Sequence, residues 1–257
     1  MGEATISLGL GMGGGKSGTS SGRLPSSGLS NINSVLLDGS DDYVLMNSSY
    51  DLGTLSAWFK SDATINKSSA MQTIVGFTGV STFAAFGSIQ TGGNVTGAVT
   101  DELITLYTGD WAYAYSSSSG SINTDWHHLA VRWSGSDYEI YLDGVQVKND
   151  DGQVVGNQSK AKIPISSFDV GIRAGSSRAF DGLIDEVAIW STPLSASDTA
   201  ALYNSGTPGD LSSLSPNGWW RMGDNNGGTG STVTDQGSGS NDGTLTNGAS
   251  FSTNVPG

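Results

Sequence analysis

Short apolar or alternating runs, bounded by polar turns, recur along the chain from residue 34 onward. The first two, Ser34–Asp38 and Tyr43–Met46, lie on either side of the turn Gly39-Ser-Asp-Asp42. Later runs fall near residues 54–60, 72–77, 83–86, 103–107, 127–133, 138–142, 168–172 and 182–190. Their boundaries are rich in Gly, Asp, Asn and Ser, the residue types that favour tight turns. Because helical patterns do not separate these runs, they predict an antiparallel sheet protein.

The pattern changes at two places. Residues 195–204 predict one short helix, with Ser195 as the N-cap and Asp198 three residues later, as in a capping box. Residues 1–33 are rich in Gly and Ser and contain only scattered apolar positions. They predict a flexible N-terminal arm that becomes ordered against a partner.

Composition and charge exclude several classes of protein. The chain has 11 Lys and Arg against 24 Asp and Glu, a formal charge of −13 that argues against nucleic-acid binding. It has no cysteine, which excludes disulfides, thiolate metal sites and cysteine nucleophiles. No apolar run approaches the about 18 residues of a membrane helix, so we expect no membrane insertion. The acidic start around Glu3 also predicts that there is no signal peptide.

Four motifs occur in a characteristic order: Leu37–Val44, Leu55–Phe59, Trp126–Val131 with Tyr141–Gly144, and Asp181–Trp190. In this order they resemble laminin-G-like modules of the concanavalin A-like lectin/glucanase group, over about residues 34–206. The resemblance implies an all-β fold, a two-sheet antiparallel jelly-roll sandwich with one short helix.

The C-terminal segment also resembles part of this family. Residues 219–248 look like a segment that often opens such modules, but here it comes last. We therefore expect residues 34–257 to form one laminin-G-like sandwich, in which strands from 207–257 pair beside the first strands and close it. The arm, residues 1–33, precedes the sandwich.

The Gly-rich start, the module and the tail together resemble structural proteins of tailed phages, marine ones especially. This implies a non-enzymatic virion component (capsid decoration, tail or fibre) that is assembled in the host cytoplasm and is homo-oligomeric in the particle. The arm would contact other virion proteins, and the sandwich would contact a host-surface glycan. Two alternatives remain open: a carbohydrate-binding adhesion module of a cell-surface protein, and a glycoside-active enzyme on the same fold.

Acidic residues around the first turn are candidates for a structural calcium site. In the family that the motifs resemble, an ion often sits where the first Asp-Gly turn meets the Asp-Glu strand. This implies Asp38 and Asp185 as carboxylate ligands and the carbonyl of Gly39 as a further one, with Asp41 and Asp42 nearby. Calcium takes about six to eight oxygen ligands. The alternative is that these Asp residues form turns by bonding their own backbone.

Three aromatic residues are candidates for sugar binding. Trp111, Tyr113 and Tyr115 alternate between a Gly-Asp pair and a run of serines. All three can therefore share one face of an edge strand or loop, where a sugar ring could stack on them. The alternative is that they belong to ordinary sheet core.

The acidic and histidine residues do not form a recognisable catalytic set, and we expect no enzyme activity. A retaining glycosidase needs two carboxyl groups about 5–5.5 Å apart. On a regular strand Asp185 and Glu186 point to opposite faces, and Asp181 lies about 13 Å from Asp185. His127 is expected to face the core and His128 the opposite face, and no G-x-S-x-G elbow accompanies them.

Overall fold

The computed structural model describes residues 24, 28–65, 72–78, 84–89, 104–107, 111–114, 122–136, 138–147, 162, 164–173 and 178–257. The described strands are β1 (Ser34–Asp38), β2 (Tyr43–Met46), β3 (Tyr50–Asp51), β4 (Thr54–Ser61), β5 (Gln72–Thr78), β6 (Ala84–Ile89), β7 (Ile104–Tyr107), β8 (Trp111–Ala114), β9 (His127–Trp133), β10 (Tyr138–Leu142), β11 (Val145–Gln146), β12 (Pro164–Ile165), β13 (Ser167–Val170), β14 (Asp181–Trp190), β15 (Gly218–Trp220), β16 (Thr232–Val233), β17 (Gly243–Thr246) and β18 (Ser250–Ser252). The helical elements are α1 (Ala196–Ala201) and two short 3₁₀ turns at Asn204–Gly206 and Ser212–Leu214.

The strands form two antiparallel sheets. The first has the order β11-β10-β9-β4-β14-β1-β18, with β15 also paired to β14. The second has the order β16-β17-β2-β13-β5-β6-β7-β8, and β3 and β12 form a separate two-stranded ladder. The prediction of an all-β antiparallel sandwich with one short helix is confirmed.

The two sheets enclose a single apolar core. On β1, Val35 and Leu37 are buried in this core, whereas Leu36 between them is 45% exposed, as strand alternation requires. Across the sandwich, Phe168 on β13 meets Trp220 on β15 with ring centroids 5.4 Å apart. The alternation read from the sequence therefore corresponds to one face of each sheet that packs inward.

The outer face of the first sheet is also covered. A second apolar cluster lies there, formed by strand residues, by residues after β14 and by one residue that precedes β1: Leu24, Ala130, Tyr141, Ala188, Trp190, Leu202, Leu211 and Trp219. Helix α1 begins as the sequence predicts, because the Ser195 side chain accepts a hydrogen bond from the Asp198 backbone N–H at 3.1 Å. This cover explains why almost all of β14 is buried, on both faces.

Strands from the C-terminal part of the chain lie beside the earliest ones. β18 pairs with β1 in the first sheet, and β17 pairs with β2 in the second. Adjacent Trp219 and Trp220 on β15 point to opposite faces, one into the outer cluster and the other into the core. Among the described residues, no helix combines the length and apolarity needed to cross a membrane.

Candidate functional site

The turn between β1 and β2 gathers three carboxylates. One oxygen from each of Asp38, Asp41 and Asp42 lies within 4.8 Å of the other two. Asp42 is buried, whereas Asp38 and Asp41 are exposed. A cluster of carboxylate oxygens without nitrogen or sulfur ligands suits a hard cation such as Ca²⁺.

Hydrogen bonds from backbone N–H groups to Asp side chains stabilise this turn. The Asp42 carboxylate accepts from the Asp38 backbone N–H at 3.2 Å, and Asp38 accepts from the Ser40 backbone N–H at 2.8 Å. Burial, followed by the negative charge of Asp38, raises the pKa of Asp42. Asp38 and Asp42 therefore form the turn by bonding its backbone, as the sequence allows. The carboxylates of Asp38, Asp41 and Asp42 also bring their negative charges close together.

Asp181 extends the acidic turn from the neighbouring strand. It is the register partner of Asp38 in the β1–β14 ladder. Gly39 adopts a positive φ of 72°, and a Cβ there would lie 2.7 Å from the Asp181 Cβ. Burial raises the pKa of Asp181, and the charges of Asp62 and Asp38 raise it further. Only glycine fits at position 39, because both the backbone angle and the close approach exclude a side chain.

Asp185 does not lie at this turn. It is four residues beyond Asp181 on β14, a displacement of about 13 Å along a strand. Its carboxylate instead accepts from the Asn31 side-chain amide at 3.0 Å and from the Glu186 backbone N–H at 2.7 Å. The structure thus brings Asp38 and Gly39 together but separates Asp185 from them, because the strand register places Asp181 opposite Asp38.

A β-bulge interrupts β14 at Asp185 and Glu186. The pairing with β4 shifts register between Asp185 and Ala188, and Glu186 has a positive φ of 47°. Both carboxylates are buried, and the negative charge of Asp224 helps to raise the pKa of each. The expectation that neighbouring Asp185 and Glu186 point to opposite faces therefore fails, because it assumed a regular strand.

Both Glu186 oxygens are engaged by hydrogen-bond donors. They accept from Trp219 Nε1 at 2.6 Å and from Arg221 Nε at 2.9 Å. Burial raises the pKa of Glu186 to about 7, although the positive charge of Arg221 lowers it. Burial also raises the pKa of Asp185 well above its ordinary value, and the charge of Glu186 adds to this. The pair is held in a buried hydrogen-bond network.

This network also holds the segment that leads into β1. Arg221 Nη2 donates to the Ser30 carbonyl at 3.0 Å and to the Asp224 carboxylate at 2.6 Å. Asp224 in turn accepts from the backbone N–H groups of Ile32 and Asn33 at 2.9 and 2.7 Å. The charged groups therefore fix where the chain enters the sandwich.

The two histidines have separate structural environments. His127 packs on Phe59, and its Nδ1 and Nε2 lie 2.8 Å from Asp143 and 2.9 Å from Asn123 respectively. Each ring nitrogen thus faces a side-chain oxygen, which fixes the orientation of the imidazole. His128 is buried on the opposite face, and burial lowers its pKa to about 3.

The predicted sugar-binding aromatics lie partly within the described residues. Trp111 and Tyr113 belong to β8, the edge strand of the second sheet, where they pair with Tyr107 and Thr105 of β7. Tyr115 lies outside the described residues. The shared sugar-binding surface of these three residues stays a prediction.

One carboxylate of interest was missed by the sequence analysis. Asp169 lies in the middle of β13, between the core residues Phe168 and Val170, and is itself only 8% exposed. The signal available in the sequence was a single Asp inside an apolar strand segment, a pattern that also describes an ordinary solvent-facing position.

Comparison with known protein families matches residues 38–200 to the Laminin_G_3 model, described as the concanavalin A-like lectin/glucanases superfamily. A comparison with curated protein sequences finds no match.

Several solved structures are similar in fold. A Bacteroides ovatus protein described as carbohydrate-binding aligns with a TM-score of 0.56 and 18% identity, over 89% of this chain and 62% of that one. The chain therefore spans less than two thirds of that protein's length. Domain 4 of an extracellular arabinanase from Geobacillus stearothermophilus aligns with a TM-score of 0.46 and 16% identity, over 66% and 76% of the two chains. A pentraxin from Limulus polyphemus aligns with a TM-score of 0.42 and 10% identity, over 67% and 82%.

Proposed function

The chain belongs to the concanavalin A-like lectin/glucanases superfamily, and from this premise we propose that it is a non-enzymatic carbohydrate-binding protein. The observation that carries the proposal is the family's closed two-sheet sandwich, which presents an acidic turn at its surface. Binding is favoured over catalysis because the adjacent Asp185 and Glu186 are buried, and Glu186 is already bonded to Trp219 and Arg221.

The test is a glycan array probed with the purified chain, followed by an assay for release of reducing ends from each bound glycan. We expect binding to a restricted set of glycans and no turnover. Release of reducing ends would replace the binding proposal with glycoside-active chemistry. Failure to bind any glycan would also contradict the proposal.

We further propose that Asp38, Asp41 and Asp42 hold a structural Ca²⁺, with the Gly39 carbonyl as a neighbouring oxygen ligand. The ion would neutralise the crowded carboxylates and stiffen the turn between β1 and β2. At a calcium concentration about 100 times the Kd, mass action would add about 2.7 kcal/mol of stability.

The calcium proposal is tested by thermal melting with and without millimolar calcium. We expect a rise in melting temperature for the wild type and none for Asp41→Asn. The control Asp198→Asn, on α1 at the outer face of the first sheet, should keep the full rise. An unchanged melting temperature for the wild type would remove the ion from the proposal.

We also propose that this binding module serves in a phage virion, as a decoration, tail or fibre component present in several copies. Its support is the resemblance of the Gly/Ser-rich residues 1–33, the module and the tail to such proteins. In this arrangement the part of the arm before Leu24 contacts other virion proteins, because Leu24 and residues 30–33 already contact the sandwich, and the sandwich contacts a host glycan. Electron microscopy of a native particle, with this chain traced in its map, tests the proposal; absence from purified particles would refute it.

A further inference from the structure

The C-terminal part of the sandwich contains three Asn-Gly pairs that differ in their surroundings. They are Asn217–Gly218, Asn226–Gly227 and Asn247–Gly248. In such a pair the backbone nitrogen of glycine can attack the side-chain carbonyl carbon of asparagine, because glycine has no side chain to hinder the approach. The product is a five-membered succinimide ring. The surroundings of each pair therefore decide whether this reaction proceeds in the folded protein.

The pair Asn226–Gly227 lies in a turn between β15 and β16 that exposes the glycine. Within the described part of the chain, the Gly227 backbone N–H makes no hydrogen bond. Gly227 has a positive φ of 69°, and no described heavy atom beyond its chain neighbours lies within 4 Å of the position that a Cβ would take. Solvent can therefore remove the proton of this N–H, and the ring has room to form.

The Asn226 side chain is held in an orientation that favours the attack. Its Oδ1 accepts from the Gly228 backbone N–H at 3.2 Å, and its Nδ2 donates to the Thr232 carbonyl oxygen. The first of these bonds turns the amide toward the chain that follows, which brings Cγ toward the Gly227 nitrogen. The same bond stabilises the negative charge that develops on Oδ1 during the attack, as an oxyanion hole does.

The pair Asn217–Gly218 is shielded from this reaction. Gly218 is buried in β15, and a Cβ there would collide with the indole ring of Trp220. The Asn217 Oδ1 accepts from the Ser191 backbone N–H at 2.7 Å. Burial keeps hydroxide from the glycine nitrogen, and this hydrogen bond must break before the amide can turn.

The pair Asn247–Gly248 is constrained in another way. The Gly248 backbone N–H donates to the Thr246 carbonyl oxygen at 3.0 Å, and Asn247 Nδ2 donates to the Asp41 carbonyl oxygen at 2.8 Å. A Cβ on Gly248 would also lie 2.8 Å from an oxygen of the Asp42 carboxylate. This nearby negative charge opposes the loss of the Gly248 amide proton.

We infer that Asn226 is a site of spontaneous deamidation in the folded protein. The Gly227 nitrogen loses its proton to hydroxide and bonds to Asn226 Cγ, the Cγ–Nδ2 bond breaks, and Nδ2 leaves as ammonia after taking a proton from water. Water then opens the ring. Cleavage at Cγ gives aspartate, and cleavage at the main-chain carbonyl carbon of Asn226 gives isoaspartate. Either product carries one more negative charge than asparagine, and no oxidant or cofactor is needed.

Conversion of Asn226 affects the segment that leads into β1. The Gly228 N–H closes the turn by donating to the Gly223 carbonyl oxygen at 2.9 Å, and a Cβ on Gly228 would collide with the Asn33 side chain. Asn33 Nδ2 also donates to the Gly223 carbonyl oxygen at 3.4 Å. Isoaspartate adds a methylene group to the backbone between residues 226 and 227, so it displaces Gly228 from Asn33. The modification therefore loosens the chain where it enters the sandwich.

The first test ages the full folded chain at pH 8.5 in heavy-oxygen water and maps its peptides by mass spectrometry. We expect Asn226 to convert at least about tenfold faster than Asn217 or Asn247, whose amides must first break hydrogen bonds, and each product should contain one oxygen from the solvent. In a sample aged in urea the three rates should be similar, because all three pairs then have the same local sequence. Equal rates in the folded chain, or an Asn226 that reacts only in urea, would overturn the inference.

The second test measures hydrogen exchange at the backbone amides of Ile32 and Asn33, which donate to Asp224. We expect exchange at these amides to be about fivefold faster in the isoaspartate form than in fresh protein. The matched control Asn226→Gln keeps an amide, but its longer side chain cannot close the five-membered ring. After the same ageing this variant should gain no charge at position 226 and keep its slow exchange. Equal exchange in the fresh and isoaspartate forms would refute the effect on the entry to β1.

Discussion

Replacing His128 tests whether the apolar cluster on the outer face of the first sheet buries this imidazole and so keeps it neutral. His128 is 1% exposed and packs on Trp58 with ring centroids 5.1 Å apart. Tyr203, just after α1, stacks on Trp58 with ring centroids 5.7 Å apart and lies 6.5 Å from the His128 ring. Nδ1 of His128 has no hydrogen-bond partner among the described residues. Burial lowers its pKa to about 3, although the charge of Asp143 raises it.

The pKa difference sets a pH-dependent contribution to stability. The imidazole has a pKa of about 6.5 in the unfolded chain, so below that pH protons favour unfolding until the folded pKa is reached. The loss is absent at pH 8 and about 2 kcal/mol at pH 5, since each pH unit contributes about 1.4 kcal/mol. It continues to grow towards pH 3, the folded pKa.

Buried carboxyl groups change the stability with pH in the direction opposite to His128, so the comparison must remove their contribution. Burial raises the folded pKa values of Glu186 and Asp169, so their contributions to stability rise as the pH falls through the neutral and weakly acidic range. These groups are the same in the wild type and in His128→Phe. The difference between the two proteins therefore isolates the imidazole.

The assay is urea unfolding followed by tryptophan fluorescence at pH 8, 7, 6 and 5. Relative to the wild type, we expect His128→Phe to gain about 2 kcal/mol in its free energy of unfolding between pH 8 and pH 5. Any packing change made by phenylalanine adds the same offset at each pH and leaves this trend intact. His128→Gln, which also lacks a titrating group, should show the same trend. A difference that stays constant from pH 8 to pH 5 would refute the burial argument.

Three further changes test the packing, and each is measured by urea unfolding. Gly76→Ala should lower the free energy of unfolding by about 2–3 kcal/mol, because its Cβ would meet the carbonyl oxygen of Ile172. A urea midpoint equal to that of the wild type would show that the backbone at residues 172–173 can move away. Arg221→Met should cost about 3–5 kcal/mol by leaving Glu186 buried without its cation, and adding Glu186→Leu should recover part of that loss; additive losses would contradict the coupling. Ser195→Ala should cost about 1 kcal/mol through the lost N-cap, and no change would show that the cap contributes nothing.

The candidate sites show where reasoning from the sequence stops. The acidic turn was predictable, because Asp38, Asp41 and Asp42 are close neighbours along the chain. The separation of Asp185 from that turn was not predictable, because strand register is a long-range property. The bulge at Glu186 was not predictable either, since the residue types there do not indicate an irregular strand.

The sequence by itself determined the class of fold and the start of the helix. Both depend on local patterns: alternation along a strand follows from its two-residue period, and Ser195 caps a helix through contacts with residues three positions away. Tertiary structure alone decided which outward positions are buried. The sequence shows whether such a position on a strand is polar or apolar. It does not show which element covers the position, because that element comes from elsewhere in the chain. His128 lies beneath Tyr203, and Asp169 pairs with Gly76, which the backbone at residues 172–173 approaches closely, so only the assembled sheets create the environments that shift their pKa values.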